Sequence, residues 1–191
     1  KYLKLCYYGY VMFFTNYLIP VLFLCISTVF SLPLHIFSFD RPSKYTITYN
    51  SELPTKLIQQ WIDTILNVNK NPENATMLLS DIYNIENVMF KPTKASKIPF
   101  RTDKDGLLSY FIGNNTNYPE DSGFALEKWT DIKFTNAGSI QNKNYIVIMG
   151  NYEFIHELTE KNVKAEYTFT FIKTYKKWKI ISHHSSLPFK C

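Results

Sequence analysis

The stretch Val163-Lys164-Ala165-Glu166-Tyr167-Thr168-Phe169-Thr170-Phe171 decides the fold. Its apolar residues alternate one by one with polar or charged ones, the period of a β-strand with one face buried and the other wet. Downstream, Lys176-Lys177 separates this strand, which runs on to Tyr175, from a second extended segment, Trp178 to Ser185, so the two predict a hairpin. Upstream, Tyr145 to Phe154 and Trp129 to Thr135 are also extended; in the latter, Ile132 and Phe134 face one side, Lys133 and Thr135 the other. Four such segments in succession predict an antiparallel meander.

Before the meander the period changes. Leu57, Ile58, Trp61, Ile62, Ile65 and Leu66 recur at helical spacing behind Pro54, which opens the first long helix. Asn71-Pro72-Glu73 supplies a cap and a first-turn proline for a short helix through Met77, Leu78 and Leu79. Val88-Met89-Phe90 reads as a short strand that ends at Pro92, and Thr102-Asp103-Lys104-Asp105 as a capping box ahead of a helix carrying Leu107, Leu108, Tyr110, Phe111 and Ile112. Helix, short helix, strand, helix and meander make an α+β domain: a cone-shaped half-barrel whose curved antiparallel sheet wraps around the long N-terminal helix and leaves an interior pocket.

Composition agrees. With 46% hydrophobic residues, 15 Phe and 14 Tyr, the chain can bury an aromatic core and is no disordered tail; 6 Gly against 9 Pro excludes a collagen-like repeat. The net charge of +5 is spread over single lysines, and the densest cluster, Lys173, Lys176, Lys177 and Lys179, falls on the ends of one hairpin, so nucleic acid is not an expected partner. Lys1 and Lys4 precede an uncharged run from Leu5 to Phe39, the layout of a secretory signal or an uncleaved anchor. Residues 1–39 are therefore read as that segment, 40–53 as a linker and 54–191 as the cone domain. Entry into the secretory pathway follows, for secretion or onward transfer to a plastid, with membrane attachment only through the leader. Cys6, Cys25 and Cys191 offer neither an intradomain disulfide nor a CxxC metal site.

The residues that could carry chemistry concentrate in Trp178-Lys179-Ile180-Ile181-Ser182-His183-His184-Ser185-Ser186. Adjacent side chains of a strand point to opposite faces, so only one of His183 and His184 can enter the interior, in company with Ser185 or Ser186. The pair cannot chelate one metal from a regular strand, and a zinc site needs about three protein ligands. Alternatively, the polar run does no more than close the sheet by hydrogen bonds. No nucleophile elbow, dinucleotide loop or phosphate loop occurs, and the acids Glu153, Glu157, Glu160 and Glu166 form no carboxylate pair.

Taken together, Trp178 to Ser186, Ala165-Glu166-Tyr167-Thr168-Phe169, Pro92-Thr93, and Arg101-Thr102-Asp103 leading into Ser109-Tyr110-Phe111 resemble the iota-class carbonic anhydrases. These belong with the calcium/calmodulin-dependent kinase II association-domain-like proteins, which share the cone fold of the nuclear-transport-factor and ketosteroid-isomerase-like superfamily. The resemblance covers Pro54 to Pro188. It implies reversible hydration of carbon dioxide to bicarbonate in an apolar pocket lined by Thr93, Tyr110 and Ser185, with Tyr110 and Ser185 as partners across the cavity. His183 or His184 would accept or relay the proton. It further implies no obligatory cofactor, although some relatives use manganese; zinc is the other metal to consider. A homodimer or higher homo-oligomer is expected, and a non-catalytic association hub is the alternative function. Two departures stand out: Glu166 occupies a position where Arg is typical, and Leu187 alone separates Ser186 from Pro188 where two residues are expected.

Overall fold

The computed structural model describes residues 46–158, 162–175 and 177–189. The leader assigned to 1–39 lies outside them, as does the first part of the expected linker. Ile47–Thr48 forms strand β1, followed by helix α1 (Glu52–Lys70), a 3₁₀ turn (Pro72–Asn74), helix α2 (Ala75–Ile82), strand β2 (Met89–Lys91) and helix α3 (Lys104–Ile112). A second 3₁₀ turn (Phe124–Leu126) leads into strands β3 (Trp129–Gln141), β4 (Tyr145–His156), β5 (Val163–Lys173) and β6 (Trp178–Ser186). The sheet order is β1-β3-β4-β5-β6-β2. The meander predicted from the alternating residues is antiparallel throughout, whereas β2 lies parallel to β6, pairing Phe90 with His183.

The α+β cone is thus the observed architecture, with three corrections of detail. The stretch read as a linker is partly structural: Ile47 pairs with Ile140 at the sheet edge, and α1 begins at Glu52 rather than Pro54. The cap of α3 is Asp103, whose carboxylate accepts the Gly106 N–H at 2.7 Å, so the cap falls one residue after the expected Thr102 and, with glycine at the third helical position, forms no reciprocal box. Strand β3 continues past Thr135 to Gln141 because a bulge at Asn136–Gly138 lets it bend with the cone instead of ending. At that bend Gly150 is required on β4, since a Cβ there would lie 2.2 Å from the Thr135 carbonyl and 2.6 Å from the Tyr167 hydroxyl.

The helical stripe of α1 turns Leu57, Ile58, Trp61, Ile62, Ile65 and Val68 into the concave face of the sheet. Burying each such side chain stabilises the fold by about 1.5–3 kcal/mol. There they meet Ile132, Tyr152, Phe154, Ala165, Tyr167, Phe169 and Phe171, the inward residues of β3 to β5. Helix α2 is tied to β6 at its C-terminus, where the Lys179 ammonium donates to the carbonyls of Ser80 and Asp81, each at 2.6 Å. The Asn84 N–H also bonds the Ile180 carbonyl at 2.9 Å, which fixes Tyr83 beside β6.

Candidate active site

A bulge in β6 selects the residues of the site. Phe171 pairs with Ile180 and Thr170 with Ser182, leaving Ile181 as an extra residue. Uninterrupted alternation from the buried Ile180 would have turned Ser182, His184 and Ser186 inward; the extra residue shifts the parity, so His183 and Ser185 are buried instead. His184 and Ser186 point the other way and line a groove on the outer sheet face with Met149, Glu166 and Thr168. Of the alternatives the sequence left open, His183 and Ser185 face the interior, and the other two candidate site residues, His184 and Ser186, do not.

From Ser185 a continuous hydrogen-bonded chain runs in both directions. Its hydroxyl contacts that of Thr93 and accepts from the Tyr152 hydroxyl. The Tyr152 oxygen also lies 3.4 Å from His183 Nε2, His183 Nδ1 lies 2.8 Å from the Tyr83 hydroxyl, and the Trp61 indole N–H donates to Tyr83 at 2.9 Å. Trp61, Tyr83, Tyr152, His183 and Ser185 are all buried, while Thr93, on the loop after β2, is partly exposed and forms the outer end. Neither Tyr83, Tyr152 nor Trp61 was singled out from the sequence as a site residue. Tyr83 follows a helix end and the other two sit in core stripes, positions at which a polar aromatic reads as packing.

Tyr110 lies on α3, packed between Phe90, Phe111 and Phe124. Its hydroxyl is buried without a hydrogen-bond partner, although the Lys94 N–H and the Thr93 hydroxyl lie close enough to favour its ionised form slightly. Tyr110 and Ser185, expected as partners across the cavity, share no direct hydrogen bond: Ser185 is engaged by Tyr152 and Thr93, and Thr93 stands next to Tyr110.

Burial dominates the electrostatics. It raises the phenol pKa of Tyr83, Tyr110 and Tyr152, with the neighbouring Tyr152 adding to the rise at Tyr110 and Tyr83. It also lowers that of His183 well below the usual imidazole range, to which the nearby His184 contributes. At neutral pH the site is therefore a set of uncharged O–H and N–H groups within an aromatic wall; Phe169 stacks on the His183 ring at a centroid distance of 3.9 Å. The site offers donors for a developing negative charge and no buried base.

The Thr93 loop is held from the far side. Glu120 accepts the backbone N–H groups of Ser96, Lys97 and Ile98, and the amides of Ile98, Lys97 and Ser96 lower its pKa to about 2. Arg101, fully buried, pairs with Asp121 at 3.0 Å and with Glu120 at 3.6 Å, and Ser109 on α3 donates to the same Asp121 at 2.6 Å. One cluster thereby fixes both the loop bearing Thr93 and the helix bearing Tyr110. A metal has no evident place in this arrangement, because both His183 nitrogens are hydrogen-bonded. Among the described residues, no three or more His, Cys, Asp or Glu side chains are grouped to hold an ion.

An open curved sheet closed over a helix, with polar groups buried inside an aromatic wall, defines an α+β cone protein with an interior polar site. The comparisons with known proteins narrow this. Residues 55–187 match the family of metal-independent carbonic anhydrases, and the chain belongs to that family. A metal-independent carbonic anhydrase from Nostoc sp. is 38% identical over 120 residues, 61% of this chain; the match spans 58% of that relative's length. The crystal structure of a cyanobacterial iota-carbonic anhydrase complexed with bicarbonate superposes with a TM-score of 0.67 at 30% identity, covering 75% of this chain and 95% of the other. A calcium/calmodulin dependent protein kinase II association domain structure from Xanthomonas campestris, at 21% identity and a TM-score of 0.54, covers 73% of this chain and 88% of its own, and shares the fold.

Proposed function

We propose that this protein is a carbonic anhydrase, a carbon–oxygen lyase that hydrates carbon dioxide to bicarbonate without a metal. The observation that carries the reading is the pair of hydroxyls at the outer end of the site, Thr93 at the end of the buried chain and the unpartnered Tyr110 beside it, in a chain of this family. Carbon dioxide, neutral and linear, enters the aromatic wall, and a water attacks its carbon. As the new C–O bond forms, negative charge grows on the carbon dioxide oxygens, where Thr93 and Tyr110 donate hydrogen bonds that need no reorganisation. The water's proton departs to solvent or buffer at the Thr93 mouth, because the buried phenols are held protonated and His183 neutral. Stopped-flow hydration by the purified domain tests the reading. Turnover above the buffer rate that persists after chelation supports it; a folded protein no faster than buffer, with or without added manganese or zinc, overturns it.

A homo-oligomer fits the outer sheet face, where Ile47, Tyr49 and Met149 are largely exposed and flank an apolar hollow with Val147 and Ile140. Light scattering that returns a dimer or larger supports this arrangement, and a monomer removes both it and the hub reading. For location we retain entry into the secretory pathway through residues 1–39; a reporter fused after Ser51 that stayed diffuse in the cytosol would exclude it.

A further inference from the structure

The hydrogen-bonded chain has a direction, and both of its ends set the same one. An indole N–H can only donate, so the Tyr83 oxygen accepts from Trp61 and its own proton is directed to His183 Nδ1. At the other end Tyr152 donates to Ser185, so its proton is already committed; its contact with His183 Nε2 is satisfied only if Nε2 carries the hydrogen. A neutral imidazole has one donor and one acceptor nitrogen. The two constraints, approaching from opposite sides, assign the same tautomer: Nδ1 bare, Nε2 protonated. Ser185, which accepts from Tyr152, then has its own hydrogen free for Thr93, whose hydrogen is left pointing out of the chain.

We propose that Trp61 is a positioning residue that sets the polarity of this chain, making Thr93 a donor toward the substrate and barring the chain from carrying a proton inward. The second half follows from the first. To accept a proton from the attacking water at Thr93, every hydroxyl and the imidazole must reverse, and the reversal ends at Tyr83 facing an indole that has no lone pair to offer. The chain is a dead end for protons and a source of aligned O–H dipoles for anionic oxygen. This deepens the proposed carbonic anhydrase reading and rests on it for the word substrate, but the tautomer assignment does not depend on it.

The test begins with ¹⁵N-histidine labelling of the full chain and measurement of the His183 ring nitrogens by NMR at neutral pH. The expected result is a neutral ring with protonated Nε2 and unprotonated Nδ1; an Nδ1–H tautomer or an imidazolium overturns the proposal. Trp61→Phe keeps an aromatic ring and removes the one donor-only member, so the hydroxyls from Tyr83 to Thr93, the Tyr152–Ser185 pair included, can reverse together; it should yield a mixture of tautomers and lower hydration turnover about tenfold, equivalent to one hydrogen bond's worth of barrier. Tyr83→Phe should do the same, and the double variant should be no slower than either single. Since a core substitution can simply unfold the protein, the tautomer of the unaltered protein is the primary reading. An unchanged pure Nε2–H tautomer in a folded Trp61→Phe would show that the indole does not set the direction and would overturn its role. If the unaltered protein hydrates no carbon dioxide yet His183 has the expected tautomer, the reaction reading fails and the polarity stands.

Discussion

At the scale of single residues, the site is a matter of which atoms have a partner. Ser185 links the hydroxyls of Tyr152 and Thr93, so Ser185→Ala does more than delete a donor: it leaves the buried Tyr152 hydroxyl without its acceptor. An unmade buried hydrogen bond costs about 1–3 kcal/mol, and without Ser185 as its partner Thr93 loses the orientation that makes it a donor to transition-state charge, an effect worth up to roughly 10²–10³ in rate. The expected outcome is a modest fall in melting temperature with a large fall in turnover per folded molecule. Tyr110→Phe should reduce turnover to a similar degree with little cost in stability, since its hydroxyl makes no hydrogen bond to lose. His184→Ala and Ser186→Ala on the outer face should hold turnover near the unaltered value and shift stability within about 0.5 kcal/mol. Parallel stopped-flow and melting measurements on the four variants decide; loss of turnover in Ser186→Ala rather than Ser185→Ala would mean that the wrong face has been assigned.

Among the elements, helix α3 and the loop before it carry Tyr110 and Thr93, and both depend on acidic side chains that bind backbone N–H groups. Asp103 caps α3 through Gly106. Asp103→Ala should therefore cost about 1 kcal/mol of stability, while Thr102→Ala, at the position expected from the sequence pattern to be the cap, should cost little. Equal losses in urea unfolding would contradict the assigned cap. Both positions carry compatible residues, so only the backbone path shows which hydroxyl or carboxylate meets the helix N-terminus. Strand β6 presents the same difficulty in stronger form. The sequence Ile180-Ile181-Ser182-His183 contains no glycine or proline to announce a bulge, yet the bulge at Ile181 decides which histidine faces the interior.

For the whole molecule the acid response follows from two groups with opposite reasons for their shifts. His183 is neutral in the fold, its pKa lowered by burial and by His184, while the unfolded chain has an ordinary imidazole near 6.5. Below that value the unfolded state takes up a proton that the folded state refuses. Stability from this group is complete above about pH 6.5 and declines by about 1.4 kcal/mol per pH unit as the pH falls beneath it, down to the folded pKa. Glu120 acts lower: its carboxylate is favoured in the fold, so its contribution is present above the ordinary carboxylate range and is lost as pH falls toward about 2. Denaturant titrations at pH 7, 6 and 5 should show the first decline, and His183→Gln should flatten it; a stability that stays level from pH 6.5 to 5 would contradict the burial of a neutral imidazole.

The sequence by itself determined the layers of this protein, because alternation in Val163 to Phe171 and helical spacing in Leu57 to Leu66 each leave one way to hide apolar surface from water. It also offered Thr93, Tyr110 and one His–Ser pair of the closing strand as candidates, on the strength of a family resemblance rather than of spacing. Which pair, and what joins it to the rest, only the tertiary structure decided. Side-chain parity along a strand is erased by a single bulge, and hydrogen bonds such as those of Trp61 with Tyr83 and Tyr83 with His183 join residues 22 and 100 positions apart, distances at which no local pattern in a chain can register a contact.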